Sequence, residues 1–182
     1  MSAAVEHATQ KMGPEWSAVM FADGGDGAPL HREWVDIVLE DHAKTIAQGL
    51  YVTGALRECR GIKHVNGNVV MSRSFLCDHP EFAEVPARCQ EYDVYHVDTI
   101  LPVARASSLF YCGWRQFGAD PRQFAAASEH SAWWHGCKDG DFVDKARAHL
   151  FDRERTRPRL VDLGRAVTVE VDERYSPGGH SS

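Results

Sequence analysis

Tyr92-Asp93-Val94-Tyr95-His96-Val97-Asp98-Thr99-Ile100-Leu101 reads as a β-strand, because aromatic and β-branched residues crowd it. Successive strand residues point to opposite faces, so His96 and Asp98, two apart, share one side. Both can then reach one ion. Further along the chain come His149 and Arg159. Two neutral imidazoles and one carboxylate on one face are what an iron(II) site requires, with the remaining positions open. An arginine fork matches a carboxylate through two parallel hydrogen bonds, which lysine cannot reproduce.

Around this stretch the periodicity alternates between helix and strand. Val35, Leu39, Ala43, Ile46 and Leu50 fall at helical spacing and predict an amphipathic helix over 31–50. His42 lies at the edge of that stripe, as a packed or surface histidine. Gly61 to Gly67 carries turn signals, and Val69 to Leu76 alternates as a strand. A short helix is expected over 80–90, with Pro80 near its first turn. Ser107 to Phe117 fits either strand or helix. Asp120-Pro121 opens a helix that runs to Gly136, with Phe124, Ala127, Ser131 and Trp134 on one face. Residues 142–152 are ambiguous, and Arg165 to Val171 alternates as a strand. Trp114, Phe124, Trp133 and Trp134 form an aromatic cluster that reads as core, with an apolar cavity as the alternative.

The chain has 182 residues, 43% of them hydrophobic and 25% charged, which is ordinary for one globular domain. The expected layout is a flexible leader over 1–30, a single domain over 31–175 and a disordered tail over 176–182. The net charge of −6 does not favour a nucleic-acid partner. The basic run Arg153 to Arg159 is local and reads as a solvated surface segment. No apolar stretch approaches the roughly 20 residues of a membrane span. Five cysteines are an odd number and no secretion signal is visible, so free thiols in a cytoplasmic protein are expected. No serine nucleophile elbow and no phosphate-binding glycine loop occurs.

Tyr95-His96-Val97-Asp98-Thr99, Gly140-Asp141-Phe142-Val143, His149 and Arg159 together resemble the iron(II)/2-oxoglutarate dioxygenases. Arg105 to Tyr111 looks like the strand that follows the H-x-D pair in that family. The resemblance implies a double-stranded β-helix. In it His96, Asp98 and His149 hold iron(II), and Arg159 clamps the far carboxylate of 2-oxoglutarate. The region between the two histidines departs from the pattern, since a helix is expected where the family has strands.

Two other sets are open. Glu129-His130, Gly140-Asp141 and His149-Leu150 resemble the last helices of the effector-binding domain of GntR regulators, which implies a metal on His130 and His149 presenting a carboxylate effector. Cys59, His64, Cys77 and His79 are all plausible zinc ligands at an unusual spacing. The sequence therefore predicts an α+β domain: several helices around a small, mainly antiparallel sheet, and in its specific version a distorted double-stranded β-helix. The expected function is small-molecule oxidation with iron(II) and 2-oxoglutarate. The alternatives are a non-enzymatic metal- or carboxylate-binding regulatory domain and an interaction protein.

Overall fold

The computed structural model describes residues 10–11, 16–22, 27–59, 62–79, 97–112, 121–136, 144, 148 and 157–165. Within them the strands are β1 (Ala18–Phe21), β2 (Gly27–Pro29), β3 (Val52–Cys59), β4 (Ile62–Ser72), β5 (Ala104–Ser107), β6 (Phe110–Cys112), β7 (Trp133–His135) and β8 (Asp162–Arg165). The helices are α1 (Trp34–Ala47), α2 (Arg73–Asp78), the single turn α3 (Val97–Ile100) and α4 (Pro121–Ser128). The fold is α+β. A five-stranded sheet has the order β1-β4-β3-β5-β8, and a three-stranded sheet the order β2-β7-β6. Four of the described strand pairs are antiparallel; β3–β5 and β6–β7 are parallel. Both sheets are open. The Arg57 side chain, on β3, ties them together by donating to the Cys112 carbonyl on β6.

The five-stranded sheet has two unlike faces. Val52, Val69, Met71 and Ala104 join Phe75, Leu76, Ile100 and Leu101 in one buried apolar cluster. Strand alternation sends their neighbours Thr53, Ser72, Arg105 and Ser107 to the opposite face, together with Ala55 and Val70. All of these are buried too. What covers that second, polar face is α1.

An amphipathic helix ordinarily turns its apolar stripe to the core. In α1 the buried residues are Ile37, Val38, Asp41, His42 and Thr45. Val35, Leu39 and Ile46, the expected core stripe, are 48%, 49% and 46% exposed. The helix ends in a Schellman cap. Gly49 takes φ +70°, Gly49 N–H bonds the Ile46 carbonyl at 2.9 Å, and Leu50 N–H bonds the Thr45 carbonyl at 3.1 Å. That cap drops Leu50 into the interior, alone among the five stripe residues.

Other expectations are corrected. Val97–Ile100 is a helical turn, not the end of a strand. Ile100 and Leu101 are consecutive and both buried in one cluster, which a strand's alternation would not allow. The same logic makes Arg73–Asp78 helical, since Phe75 and Leu76 are buried side by side. The helix expected to reach Gly136 stops at Ser128, and Trp133–His135 pairs as a strand with β2 and β6. There Trp134 packs on Phe124 and Tyr111 while Trp133 packs on Trp34, so the two rings serve different clusters. Phe124 and Trp134 are buried core and Trp133 is packed partly buried against a second cluster, while Trp114 lies outside the described residues. The turn signals at Gly67 mark an irregularity inside β4: Leu56 pairs with Val65 and Gly54 with Val69, so β4 carries two extra residues there. Strands β1 and β2 fall within the residues read as a leader. The expected helix at 80–90 and the tail at 176–182 lie outside the described residues. So do most of 142–152, where Asp144 and Ala148 are helical.

Candidate functional site

The contact between α1 and the sheet is a continuous hydrogen-bonded chain, and its direction follows from counting protons. Ser72 Oγ donates to the Tyr51 carbonyl at 3.0 Å, so it accepts from His42 Nε2–H at 3.1 Å. The other ring nitrogen, Nδ1, is then the acceptor for the Thr53 hydroxyl at 2.9 Å. Thr45 Oγ1 lies 2.5 Å from Thr53 Oγ1 and receives Arg105 Nε–H at 2.9 Å, so its own proton goes to Thr53. Every hydroxyl in the chain has one donor role and one acceptor role. His42 is held neutral as the Nε2–H tautomer.

Arg105 anchors the far end. Its side chain is fully buried on β5. Nη2 meets Asp41 Oδ2 at 2.8 Å and donates to the Asp41 carbonyl at 2.7 Å. Nη1 sits 3.3 Å from Asp162 Oδ1, at ion-pair distance but off the hydrogen-bonding axis. Ser107 Oγ donates to Asp41 Oδ2 at 2.6 Å and in turn accepts Leu109 N–H. Burial lowers His42 to about 4, the Arg105 charge pushes it the same way, and Asp41 opposes both. The backbone N–H of Gly164 holds Asp162 below the ordinary carboxylate value, and Arg105 acts in the same direction.

Ser72 and His42 lie at the distance of a nucleophile and its base. Their surroundings make them structural instead. Ser72 is buried with its proton committed to a backbone carbonyl, and a threonine rather than a carboxylate orients the ring. The network binds α1 to the sheet.

Of the residues expected to form an iron site, His96 and His149 lie outside the described residues. Asp98 belongs to the helical turn α3, and Arg159 is exposed. Arg159 is fixed by its backbone, with N–H on the Glu129 carbonyl at 2.8 Å and its carbonyl 3.4 Å from His130 Nδ1. His130 is exposed in the turn after α4. The zinc set is not brought together. His64 is buried on β4, while Cys77 and His79 follow the other end of that strand, roughly 20 Å along it once the two extra residues are discounted. Among the described residues no group of three His, Cys, Asp or Glu side chains could hold a metal ion. None of their helices is long and apolar enough to cross a membrane.

Comparison with protein families, curated proteins and solved structures finds no match.

The surface feature that sequence reasoning missed is the outer face of α1. It presents Val35, Leu39, Ala43, Ile46 and Ala47, all exposed. Along its border Arg157 Nη1 donates to both Glu40 oxygens, at 2.9 and 2.8 Å. These two hydrogen bonds and the Glu40 charge raise Arg157 above its ordinary value; Asp36 and Glu33 add to the effect. The spacing of the stripe was visible in the sequence. Its direction depended on Thr53, Ser72 and Arg105, which lie far from it along the chain.

Proposed function

We propose that this domain acts by docking, with the outer face of α1 as its contact surface. The observation that carries this reading is the stripe Val35, Leu39 and Ile46, each about half exposed on a helix whose other face is locked to the sheet. Exposed apolar residues that line up along one element are a recurrent mark of interaction surfaces. The rigid network beneath means that the stripe is presented without rearrangement, which limits the entropy lost on binding. The test titrates the wild-type protein and a Leu39→Lys variant with amphipathic peptides of either charge, and measures sedimentation over a range of concentrations. Docking requires at least one association that wild type shows and Leu39→Lys loses. If no association depends on Leu39, the reading fails.

The residue order His96, Asp98, His149 and Arg159 supports a second reading: a cytoplasmic small-molecule oxygenase on a distorted double-stranded β-helix, using iron(II) and 2-oxoglutarate. The exposed position of Arg159 is compatible with a carboxylate clamp. A regulatory domain that holds a metal or a carboxylate effector would use the same groups without turnover. Calorimetry of 2-oxoglutarate with iron(II) or manganese present separates these readings from docking. Binding that Arg159→Ala weakens, with the fold intact, favours the clamp. The docking reading expects no heat.

A further inference from the structure

We infer that the partner of the α1 surface is an arginine-bearing amphipathic helix, and that Arg157 occupies part of its place within the chain. The inference rests on the docking reading and names the chemistry of the partner.

The shape argument starts from side-chain rows. Val35, Leu39, Ala43 and Ala47 are spaced four apart and form one ridge of α1. The ridge is tall at Val35 and Leu39 and low at the two alanines, with Ile46 standing beside the low end. A second helix can lay its own ridge along this step, bringing its backbone close over Ala43 and Ala47. A flat apolar surface would not distinguish a helix from any other partner.

The charge argument comes from what the border already holds. Glu40 takes a guanidinium by both carboxylate oxygens. The Asp36 and Glu33 carboxylates are close enough to act on that same guanidinium, and Asp36 is exposed. The border of the stripe is thus an arginine-binding edge, occupied by an arginine of the chain itself. The whole chain carries −6, which adds long-range attraction for a basic partner. Both members of the Glu40–Arg157 pair are more than half exposed, so an incoming arginine can displace Arg157 at small cost. Arg157 is in that sense a competitor built into the chain.

The test uses a fluorescent helical peptide of about three turns, with leucine at i, i+4 and i+7 and arginine on the flanks. A matched peptide carries glutamate in place of arginine. Binding is read by anisotropy on the full chain. The arginine peptide is expected to bind and the glutamate peptide not to. Leu39→Ser is expected to weaken binding about tenfold, the effect of losing a central apolar anchor. Arg157→Ala is expected to tighten it severalfold, and clearly more than Lys63→Ala, which makes the same change in net charge at an exposed position on β4. Circular dichroism checks that the three variants fold, as their exposed positions predict.

Equal binding of both peptides overturns the inference, as does an Arg157→Ala variant that binds no better than Lys63→Ala. If neither peptide binds and the chain self-associates through Leu39, the docking surface stands and a second copy replaces the basic helix. If nothing depends on Leu39, both the inference and the docking reading fall.

Discussion

The Arg105 guanidinium lies 2.8 Å from the Asp41 carboxylate, with both side chains essentially closed to water. The pair joins β5 to α1 at a distance of 64 positions along the chain. Such a pair is poor evidence of net stability, since desolvation offsets much of its attraction, but breaking one half is expensive.

Asp41→Ala should therefore cost about 3–5 kcal/mol, because Arg105 would keep its charge in the interior with no buried carboxylate, only the Asp41 carbonyl, the Thr45 hydroxyl and the offset Asp162 as partners. Asp41→Leu combined with Arg105→Met should cost clearly less than the sum of the single changes. A double-mutant cycle from urea denaturation measures this. Additive single effects would show that the pair does not act as a unit.

Acid should loosen the same interface through His42. Its folded value is about 4 against an ordinary 6.5. The folded state thus prefers the neutral ring, and between these values the unfolded chain binds more protons. The contribution is fully present above about pH 6.5 and is lost as pH falls toward 4, by up to about 3 kcal/mol. Protonation would place a second donor against Thr53 and reverse a chain whose other end is fixed by Arg105. Stability curves of wild type and His42→Ala should differ in slope across that window. Parallel curves would exclude His42 as their cause.

Gly54, on β3, has no room for a side chain. A Cβ built there would run into Val65 Cγ1 and stand 3.0 Å from Val69 Cγ1. Both are β-branched side chains in the buried cluster, with little freedom to swing away. Gly54→Ala should cost about 1–3 kcal/mol, and adding Val65→Ala should recover part of it. Thermal denaturation of the two variants decides this.

Cys77 is an exposed cysteine and Cys112 a half-buried one. Brief alkylation of the native protein followed by peptide mass mapping should label Cys77 well ahead of Cys112, because the alkylating agent must reach the sulfur. Equal labelling would place Cys112 nearer the solvent than its strand position implies.

The position of α1 was legible from apolar spacing, within three residues at each end. Its orientation was not. Periodicity says which residues share a face; which face is buried depends on hydrogen-bond partners on β3, β4 and β5. The strand propensity of Val97, Thr99 and Ile100 was real but gave way to the burial of Ile100 and Leu101 together. At Trp133 and Trp134 the helical pattern yielded to pairing with Pro29 and Ala28 on one side and Phe110 and Tyr111 on the other. The turn chemistry of Asn66-Gly67-Asn68 appeared inside a strand, where Asn66 Oδ1 accepts Asn68 N–H at 3.1 Å. For the proposed iron ligands, short spacings alone carried the reading, and spacing cannot report whether distant side chains converge.

Arg105 faces two carboxylates of very different exposure, and this grades how the domain opens. Asp41 lies deep on α1, whereas the Asp162 side chain is nearly half exposed on the marginal strand β8. Among the described residues β8 meets β5 at two register points, with an irregularity between them. Water can take over from Asp162 while the Asp41 contact persists, so β8 can peel away without releasing α1. Amide hydrogen exchange should then run in two tiers. Protons of residues 162–165 would exchange through a shallow local fluctuation, and those of β3, β4 and α1 only when the whole domain unfolds.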